Sequence, residues 1–383
     1  MIVRTHSDFA AFAAVHAPDV RRVAALSSLA TVFQTWEWCA AWWRHRGGRG
    51  RRFLALEFQE NGFAVGFALL FRDPLTTNLR PIGDGDADYA DILAHPDHEE
   101  AVVRALLEWL CADGKRFRLE MKQTPPDSVL RTHLGAAQAA VSGVQVAQIG
   151  GEVCPVAALP PTWEAYKSQF GKKRRAHFGY YERNLSKHFS DVSFAVADAQ
   201  TLAEDTEAFF ALHQRRWNAR FLPGAFADTS NRRFHFDMAQ SLLSGGFLRL
   251  HTLSLNGRVE AALYCFHKGA TTYYYLGGFE PEFARFSVGS VLTARAIRYA
   301  IETDHATRFD FLRGNESYKY AWGAADVPNA FVVAGRRGAG VIIATIGARA
   351  TLAAELRLKN VMHGAFGGAG ALVKNAKKET KHG

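Results

Sequence analysis

The feature that most constrains the fold is an alternation of helical and strand patterns that occurs twice along the 383-residue chain. In each half, apolar residues at helical spacing are followed by short apolar runs, and these by a further helix and strand. Asn61-Gly62 and Asn256-Gly257 stand between pairs of such runs, and Asn-Gly favours a two-residue hairpin loop. The repeat predicts an α/β (α+β) fold of two similar halves, each with a mixed central sheet flanked by helices.

The predicted elements divide the chain near residue 155. The predicted helices cover residues 7–29, 35–45, 98–112, 128–140, 163–187, 199–218, 230–244 and 287–303. The predicted strands cover residues 52–59, 63–71, 79–82, 89–93, 117–121, 144–149, 193–196, 247–255, 257–267, 270–278, 308–312 and 331–333. Gly150-Gly151 and Pro155 interrupt the pattern, so we expect domains at 1–155 and 156–334, followed by a basic Gly/Ala-rich tail at 335–383.

The net charge of +9 suggests an acidic partner, but most of this charge lies in one part of the chain. Residues 331–383 hold nine Lys and Arg against two Glu, so the remaining chain is nearly neutral. We expect no sequence-specific nucleic-acid binding, because no RNP, KH, zinc-finger or helix-turn-helix signature is present. The tail could instead rest against an anionic membrane.

The cysteines and the start of the chain indicate a reducing compartment. The four cysteines are far apart and form no CxxC pair, so neither a disulfide framework nor a structural zinc site is expected, and no metal is predicted. The first residues lack the apolar run and cleavage site of a signal peptide. We therefore expect a cytoplasmic protein, with peripheral membrane contact as an option, that is a monomer or a homodimer.

A loop before a helix carries the clearest candidate binding site. Arg285, Ser287, Val288, Gly289 and Ser290 join the predicted strand 270–278 to the helix 287–303. Free amides at a helix start, close approach at Gly289 and the Arg285 charge suit a phosphate. The alternative is a simple N-cap with a small-residue packing contact.

Other polar residues stand where they could meet an acceptor. His213, Arg216 and Trp217 share one side of a helix, which suits a sugar or an anion, with His213 as a possible base. The alternative is Trp217 packed inward and Arg216 solvated. Glu260 lies in an apolar strand and needs a partner. The stretch 172–187 holds six basic residues and could meet RNA or form a solvated helix face.

Several stretches resemble the GNAT acyltransferase superfamily, and more narrowly its CelD/BcsL type, which is related to the Fem peptidyltransferases and linked to cellulose and exopolysaccharide synthesis. They are FQTWEWCAAWW, DADYADIL, KKRRAHFGYYERNL, LHQRRW, NGRVEAALYCF, GFEPEFARFSVGSVL and FDFLRGNESYK, and they span about residues 30–330. In one departure, the spacing from Arg285 to Gly289 is one residue longer than usual in the superfamily.

The resemblance implies a tandem GNAT-like fold with a degenerate first domain and acetyl-CoA or another acyl-CoA as co-substrate. It places the pantetheine arm along Tyr275 and Gly277 and the pyrophosphate at residues 285–290. Direct acyl transfer needs a base, an oxyanion donor and an acid for the thiolate. The resemblance points to Tyr318 as that acid, and Asp310, Glu316 and Lys319 could supply the base or orient the acceptor. For Asp310 and Tyr318 the alternative is a buried Asp–Tyr or Asp–backbone hydrogen bond that ties the strand to the helix.

Three functional hypotheses follow. The first is an acyl-CoA-dependent N- or O-acyltransferase acting on a saccharide or another small polar acceptor. The second is a Fem-like transferase that uses aminoacyl-tRNA. The third is a non-catalytic accessory module of a polysaccharide-synthesis complex. Coenzyme A binding that salt does not weaken would favour the first, and salt-dependent RNA binding would favour the second.

Overall fold

The computed structural model describes residues 1–48, 50–76, 78–112, 117–219, 224–355 and 357. Helices α1 to α10 are, in order, Phe9–Leu26, Trp36–Arg46, Glu99–Cys111, Val129–Ala140, Trp163–Ser168, Lys172–His188, Leu202–Asn218, Thr229–Ser244, Val288–Glu302 and Ser317–Tyr320. Strands β1 to β13 are Ile2–His6, Arg52–Glu60, Phe63–Arg72, Asn78–Pro81, Leu93–Ala94, Arg118–Thr124, Val144–Ala158, Val192–Val196, Leu248–Leu255, Arg258–Lys268, Thr271–Phe279, Arg308–Asp310 and Ala325–Arg336.

The strands form one continuous mixed sheet. Its order is β1-β2-β3-β4-β6-β13-β7-β12-β11-β10-β9-β8, and β5 pairs with β3. The pairs β4–β6 and β11–β12 are parallel, and the other pairs are antiparallel. The same six-strand arrangement thus appears twice in opposite directions, which confirms the predicted α/β fold of two similar halves. The halves exchange their final strands, because β7 lies beside β12 and β13 lies beside β6.

Both predicted hairpin turns are present. Asn61 and Asn256 have φ of 51° and 49°, and the glycines that follow have φ of 83° and 81°. Two consecutive residues with positive φ make the type I′ loop whose twist matches that of paired strands. These turns set the β2–β3 and β9–β10 registers.

Helices cover both faces of the sheet. An apolar cluster on one face spans both halves and draws Phe12 from α1, Trp42 from α2, Phe209 from α7 and Met238 from α8. The opposite face is covered by α3 and α4 in the first half and by α6 and α9 in the second. Adjacent residues of a strand point to opposite faces, so Tyr273 joins the shared cluster while Tyr274 packs on the other side.

Three local predictions were wrong. The helix predicted over 163–187 is two helices, because Gly171 adopts an extended conformation at the start of α6. The strand predicted over 89–93 is reduced to β5, since the Asp91 carboxylate instead binds the amides of Val129 and Leu130 at the start of α4. Gly150-Gly151 and Pro155 do not end β7, which runs on to Ala158 across the predicted domain boundary.

The region predicted as a tail begins with ordered structure. Residues 339–355 are helical, and Val341, Ala344 and Ala348 pack on Phe331 and Val333 of β13. Among the basic residues of the tail, Lys359, Lys374, Lys377, Lys378 and Lys381 lie outside the described residues. Within the described part of the chain, no helix has the length and apolar character that a bilayer span requires.

Candidate functional site

The candidate site is an opening between two parallel strands. Strand β12 pairs with β11 only at Thr271, Thr272 and Tyr273, and the chain leaves the sheet after Asp310. Strand β11 continues to Phe279, so its second half has no β12 neighbour. Because no strand of the described part of the chain fills this opening, molecules bound on the two faces of the sheet could come into contact there.

Tyr318, on the short helix α10, lies at this opening. Its ring contacts those of Tyr274 and Phe311, with centroids 6.4 Å and 6.5 Å away. The side chain stays 44% exposed. Desolvation, followed by the nearby Tyr274 and Glu316, raises the pKa of Tyr318. The phenol is therefore protonated at neutral pH and can donate its proton to a leaving group.

Helix α7 brings a cation to the same stretch of β11. Arg216 Nη1 donates to the Gly277 carbonyl oxygen at 3.0 Å, and the guanidinium carbon lies 5.1 Å from the centre of the Phe279 ring. Desolvation raises the pKa of both Tyr274 and Tyr318, and the nearby Arg216 opposes part of that rise. The close approach depends on Gly278, where an added Cβ would lie 2.5 Å from the His213 amide nitrogen.

His213 and Trp217 make a buried pair rather than an open acceptor surface. Trp217 Nε1 donates to His213 Nε2 at 3.0 Å, and His213 is 3% exposed. Burial, with a smaller contribution from Arg216, lowers the pKa of His213 to about 4. A neutral ring that accepts at Nε2 carries its proton on Nδ1, so His213 is poorly placed to act as a base.

The loop before α9 has the features that an anion needs. Ser287 is left-handed, with φ of 58°, and begins the helix. Among the described residues, none accepts a hydrogen bond from the amides of Val288 or Gly289. The side chains of Arg285 and Ser290 are exposed at the same end. The Val288 side chain is buried in the core, so only its amide can contribute.

Asp310 lies at the end of β12, on the face of the sheet that the two halves share. Its Oδ2 accepts from the Tyr89 hydroxyl at 2.7 Å, and its Oδ1 accepts from the Leu312 amide at 2.8 Å. Burial raises the pKa of Asp310 to about 7. Asp310 thus forms a buried Asp–Tyr hydrogen bond, but its partner is Tyr89 of the first half and not, as predicted, a group on the helix that carries Tyr318.

Other contacts join the halves around Asp310. Arg313 forms an ion pair with Asp88, and its Nη1 lies 3.9 Å from Glu152 Oε1. The Tyr275 hydroxyl donates to the Asp86 carbonyl oxygen at 3.0 Å. The Tyr275 side chain therefore lies in the shared apolar cluster, on the face of the sheet opposite to Tyr274. The sequence did not predict the ion pair between Arg313 and Asp88, because it depends on contact between segments that are distant along the chain.

Lys319 and Glu316 shape the turn that follows β12. Lys319 is 3% exposed, and its Nζ donates to the carbonyl oxygens of Leu312, Arg313 and Gly314. The Glu316 carboxylate lies 2.9 Å from the same Nζ. The structure therefore places Lys319 as a support of the turn that carries Tyr318.

Glu260 lies beside the loop rather than at the opening. It is 4% exposed, and burial raises its pKa, with Arg258 opposing at 3.6 Å. Its Oε2 has no hydrogen-bond partner among the described residues. Glu280, which follows β11, forms an ion pair with Arg215 at 2.6 Å.

One group among the described residues could hold a metal ion, and it lies at the other end of the sheet. It consists of His6, His16 and Glu57, whose ligand atoms are within 4.8 Å of one another. His6 Nε2 is already 2.9 Å from a Glu57 carboxylate oxygen. These residues belong to β1, α1 and β2, far along the strand order from β11 and β12.

Part of the sequence matches a known domain family. Residues 172–320 match the family model of the acetyltransferase (GNAT) domain. This segment begins at α6 and contains β11, the loop before α9, β12 and Tyr318. No curated protein matches the sequence.

FemX and a second solved structure share the fold at low sequence identity. FemX aligns with a TM-score of 0.61 and 11% identity, over 87% of this chain and 97% of FemX. The C-terminal domain (DUF2156) of a candidate lysylphosphatidylglycerol synthetase from Agrobacterium fabrum aligns with a TM-score of 0.54 and 13% identity, over 88% and 96% of the two chains. A tandem GNAT protein from the clavulanic acid biosynthesis pathway gives a TM-score of 0.42 and 10% identity, over 88% and 99%.

Proposed function

We propose that this protein transfers an acyl group from an acyl-coenzyme A, most simply acetyl-CoA, to an amine or hydroxyl of a polar acceptor. The observation that carries the proposal is the opening between β11 and β12, which has the Tyr318 phenol and Arg216 beside it. The match of residues 172–320 to a GNAT acetyltransferase domain supports acyl transfer in general.

The residues present fit an acyl-CoA. Its pyrophosphate would be held by the free amides of Val288 and Gly289 and by the exposed Arg285. The uncovered edge of β11 near Gly277 would accept the pantetheine arm. Because Arg216 already donates to the Gly277 carbonyl oxygen, it would share or release that contact when the arm binds.

The protein's own groups divide the chemistry. Asp310, with a pKa of about 7, takes the proton from the attacking amine or hydroxyl as the new bond to the thioester carbonyl carbon forms, and the acceptor has to displace the Tyr89 hydroxyl from Asp310 to reach it. Arg216 stabilises the negative charge on the carbonyl oxygen. As the carbon–sulfur bond breaks, the Tyr318 phenol donates its proton to the sulfur. Asp310 and Tyr318 lie on opposite faces of the sheet, and the opening is where groups bound on those faces can react.

The acceptor in this proposal is a saccharide, as in exopolysaccharide or cellulose synthesis of the CelD/BcsL type. The residues between the halves support a polyhydroxylated acceptor. Asp86 lies beside Trp42 and the partly exposed Tyr275, so a carboxylate stands next to aromatic side chains. The Trp42 indole donates to Asp86 Oδ2 at 2.8 Å.

A charge placed at the start of α9 tests the donor. Ser290→Glu puts a carboxylate beside the free amides, where it would compete with a pyrophosphate, and an acid in the first turn does not harm the helix. We expect calorimetric affinity for acetyl-CoA to fall by more than about tenfold. The matched control is Thr229→Glu, at the exposed start of α8. Equal affinity in both variants would remove the loop from the binding site.

A second candidate donor is aminoacyl-tRNA, and the surface of α6 is the observation that favours it. Lys172, Lys173, Arg175, Arg183 and Lys187 are all exposed on this helix, which packs against α9 and the loop before it. Such a surface could follow a phosphate backbone.

Neutralising that surface separates the two donors. Replacing Lys172, Lys173 and Arg175 with glutamine should leave acetyl-CoA affinity unchanged if coenzyme A is the donor. Loss of salt-dependent tRNA binding together with loss of turnover would favour aminoacyl transfer. If neither donor binds the wild-type protein, the result would favour a non-catalytic accessory role in a polysaccharide-synthesis complex.

A further inference from the structure

The helical segment 339–355 buries one face and exposes another that is equally apolar. Its inner face consists of Val341, Ala344 and Ala348, which pack against β13. At about 100° of rotation per residue, Ile342, Ile343 and Ile346 point away from the sheet. They are 51%, 68% and 62% exposed. Ala350 and Ala353 extend the same outer face.

An apolar outer face is unusual for a surface helix. Helices at the surface of a soluble protein have one apolar stripe and one polar face, and a helix that is apolar all round is normally covered. Single exposed isoleucines are common, but three on adjoining positions form a contiguous patch that marks an interaction site. Something other than water therefore covers this face when the protein works.

The charges around the patch indicate what covers it. Arg337, Arg349 and Arg357 are exposed within or beside the segment. The described acidic residue of the segment, Glu355, is engaged by Lys122 at 3.2 Å. The apolar patch therefore has a cationic border. A second copy of the chain would bring two sets of arginines together, whereas an anionic lipid surface would neutralise them.

We propose that residues 339–355 dock this protein on an anionic membrane surface. The three isoleucines enter the boundary between headgroups and acyl chains, while the arginines contact lipid phosphates. The segment lies parallel to the surface, since its inner face stays packed on β13. Docking through this segment would determine where the protein acts, whichever acyl donor the opening binds.

Vesicle binding of the full chain tests the proposal. Wild-type protein should sediment with vesicles of equal parts phosphatidylcholine and phosphatidylglycerol, and much less with pure phosphatidylcholine. The triple variant Ile342→Ser, Ile343→Ser and Ile346→Ser should lose more than about tenfold in affinity. The matched control carries Val15→Ser and Leu75→Ser, which change exposed apolar residues elsewhere and should bind as the wild type does.

Two further measurements keep the test decisive. Thermal melting should be unchanged in the triple variant, because the replaced side chains do not pack on the sheet. The proposal is overturned if the wild type ignores anionic vesicles or if the triple variant still binds them. It is also overturned if light scattering shows a dimer that the triple variant loses, since a second copy would then cover the face. Failure here leaves acetyl-CoA binding and turnover unaffected, so the two proposals fail separately.

Discussion

Replacing Asp310 with asparagine should make the stability of this protein less dependent on pH. Asp310 is 4% exposed at the end of β12, where burial raises the pKa of its carboxyl from 3.8 to about 7. The unfolded chain releases this proton near the ordinary pKa, whereas the folded protein keeps it until about pH 7. Asparagine resembles the protonated acid in shape and cannot ionise.

The sign and size follow from proton linkage. Between the two pKa values the folded state binds more protons than the unfolded state, so wild-type stability falls as the pH rises. The contribution is fully present below the unfolded pKa and is lost once the pH passes the folded pKa. At ~1.36 kcal/mol per unit, the wild type should lose about 3 kcal/mol relative to Asp310→Asn between about pH 4.5 and about pH 7.5.

Urea unfolding at several pH values measures this difference. Other buried acids are common to both proteins and cancel in the comparison. A difference in unfolding free energy that stays constant across the range would refute the assigned protonation of Asp310. Tyr89→Phe offers a second check, because loss of its hydrogen bond to the carboxylate should raise the pKa of Asp310 further, by about one to two units.

Three other substitutions test the site and its supports. In steady-state kinetics with acetyl-CoA, Tyr318→Phe should lower kcat about a hundredfold with little change in KM. The control is Tyr320→Phe, which removes a hydroxyl that binds Asp326 and should leave both constants unchanged. An unaltered kcat in Tyr318→Phe would show that Tyr318 is not the acid. Gly278→Ala should cost about 2 kcal/mol in thermal or urea unfolding because its Cβ meets the backbone of α7, whereas Gly150→Ala, which faces open space, should be neutral. Lys319→Met leaves three carbonyl oxygens without their buried donor and should cost about 2 kcal/mol in urea unfolding, so wild-type stability would contradict its role in the turn.

Local signals in the sequence were sufficient for most elements. Asn61-Gly62 and Asn256-Gly257 predicted their hairpins because positive φ at two positions depends on those residues alone. By contrast, Gly151 and Pro155 looked like breakers, yet β7 continues through them. A Cβ added to Gly151 would lie 3.1 Å from the backbone of Asn329 on the partner strand β13. Glycine is needed there because of this contact, which the local sequence does not show.

In the candidate site, too, some features depend on neighbouring residues in the sequence and others on contacts between distant segments. The loop 285–290 could be predicted because a glycine and a basic residue before a helix are neighbours in sequence. Asp310 was singled out, but its bond to Tyr89 joins residues from the two halves. His213 looked like an available base, and only the fold shows that Trp217 occupies one nitrogen and that burial keeps the ring neutral.

The exchanged strands have a consequence for how the chain is made. Strand β13 lies between β6 and β7, so the first half cannot complete its sheet until the last strand leaves the ribosome. Until then two strand edges stay open, and open edges invite pairing with other chains. A shortened chain that stops before residue 325 should therefore depend on chaperones or aggregate. Synthesis of the whole polypeptide is what closes the two halves into one folding unit.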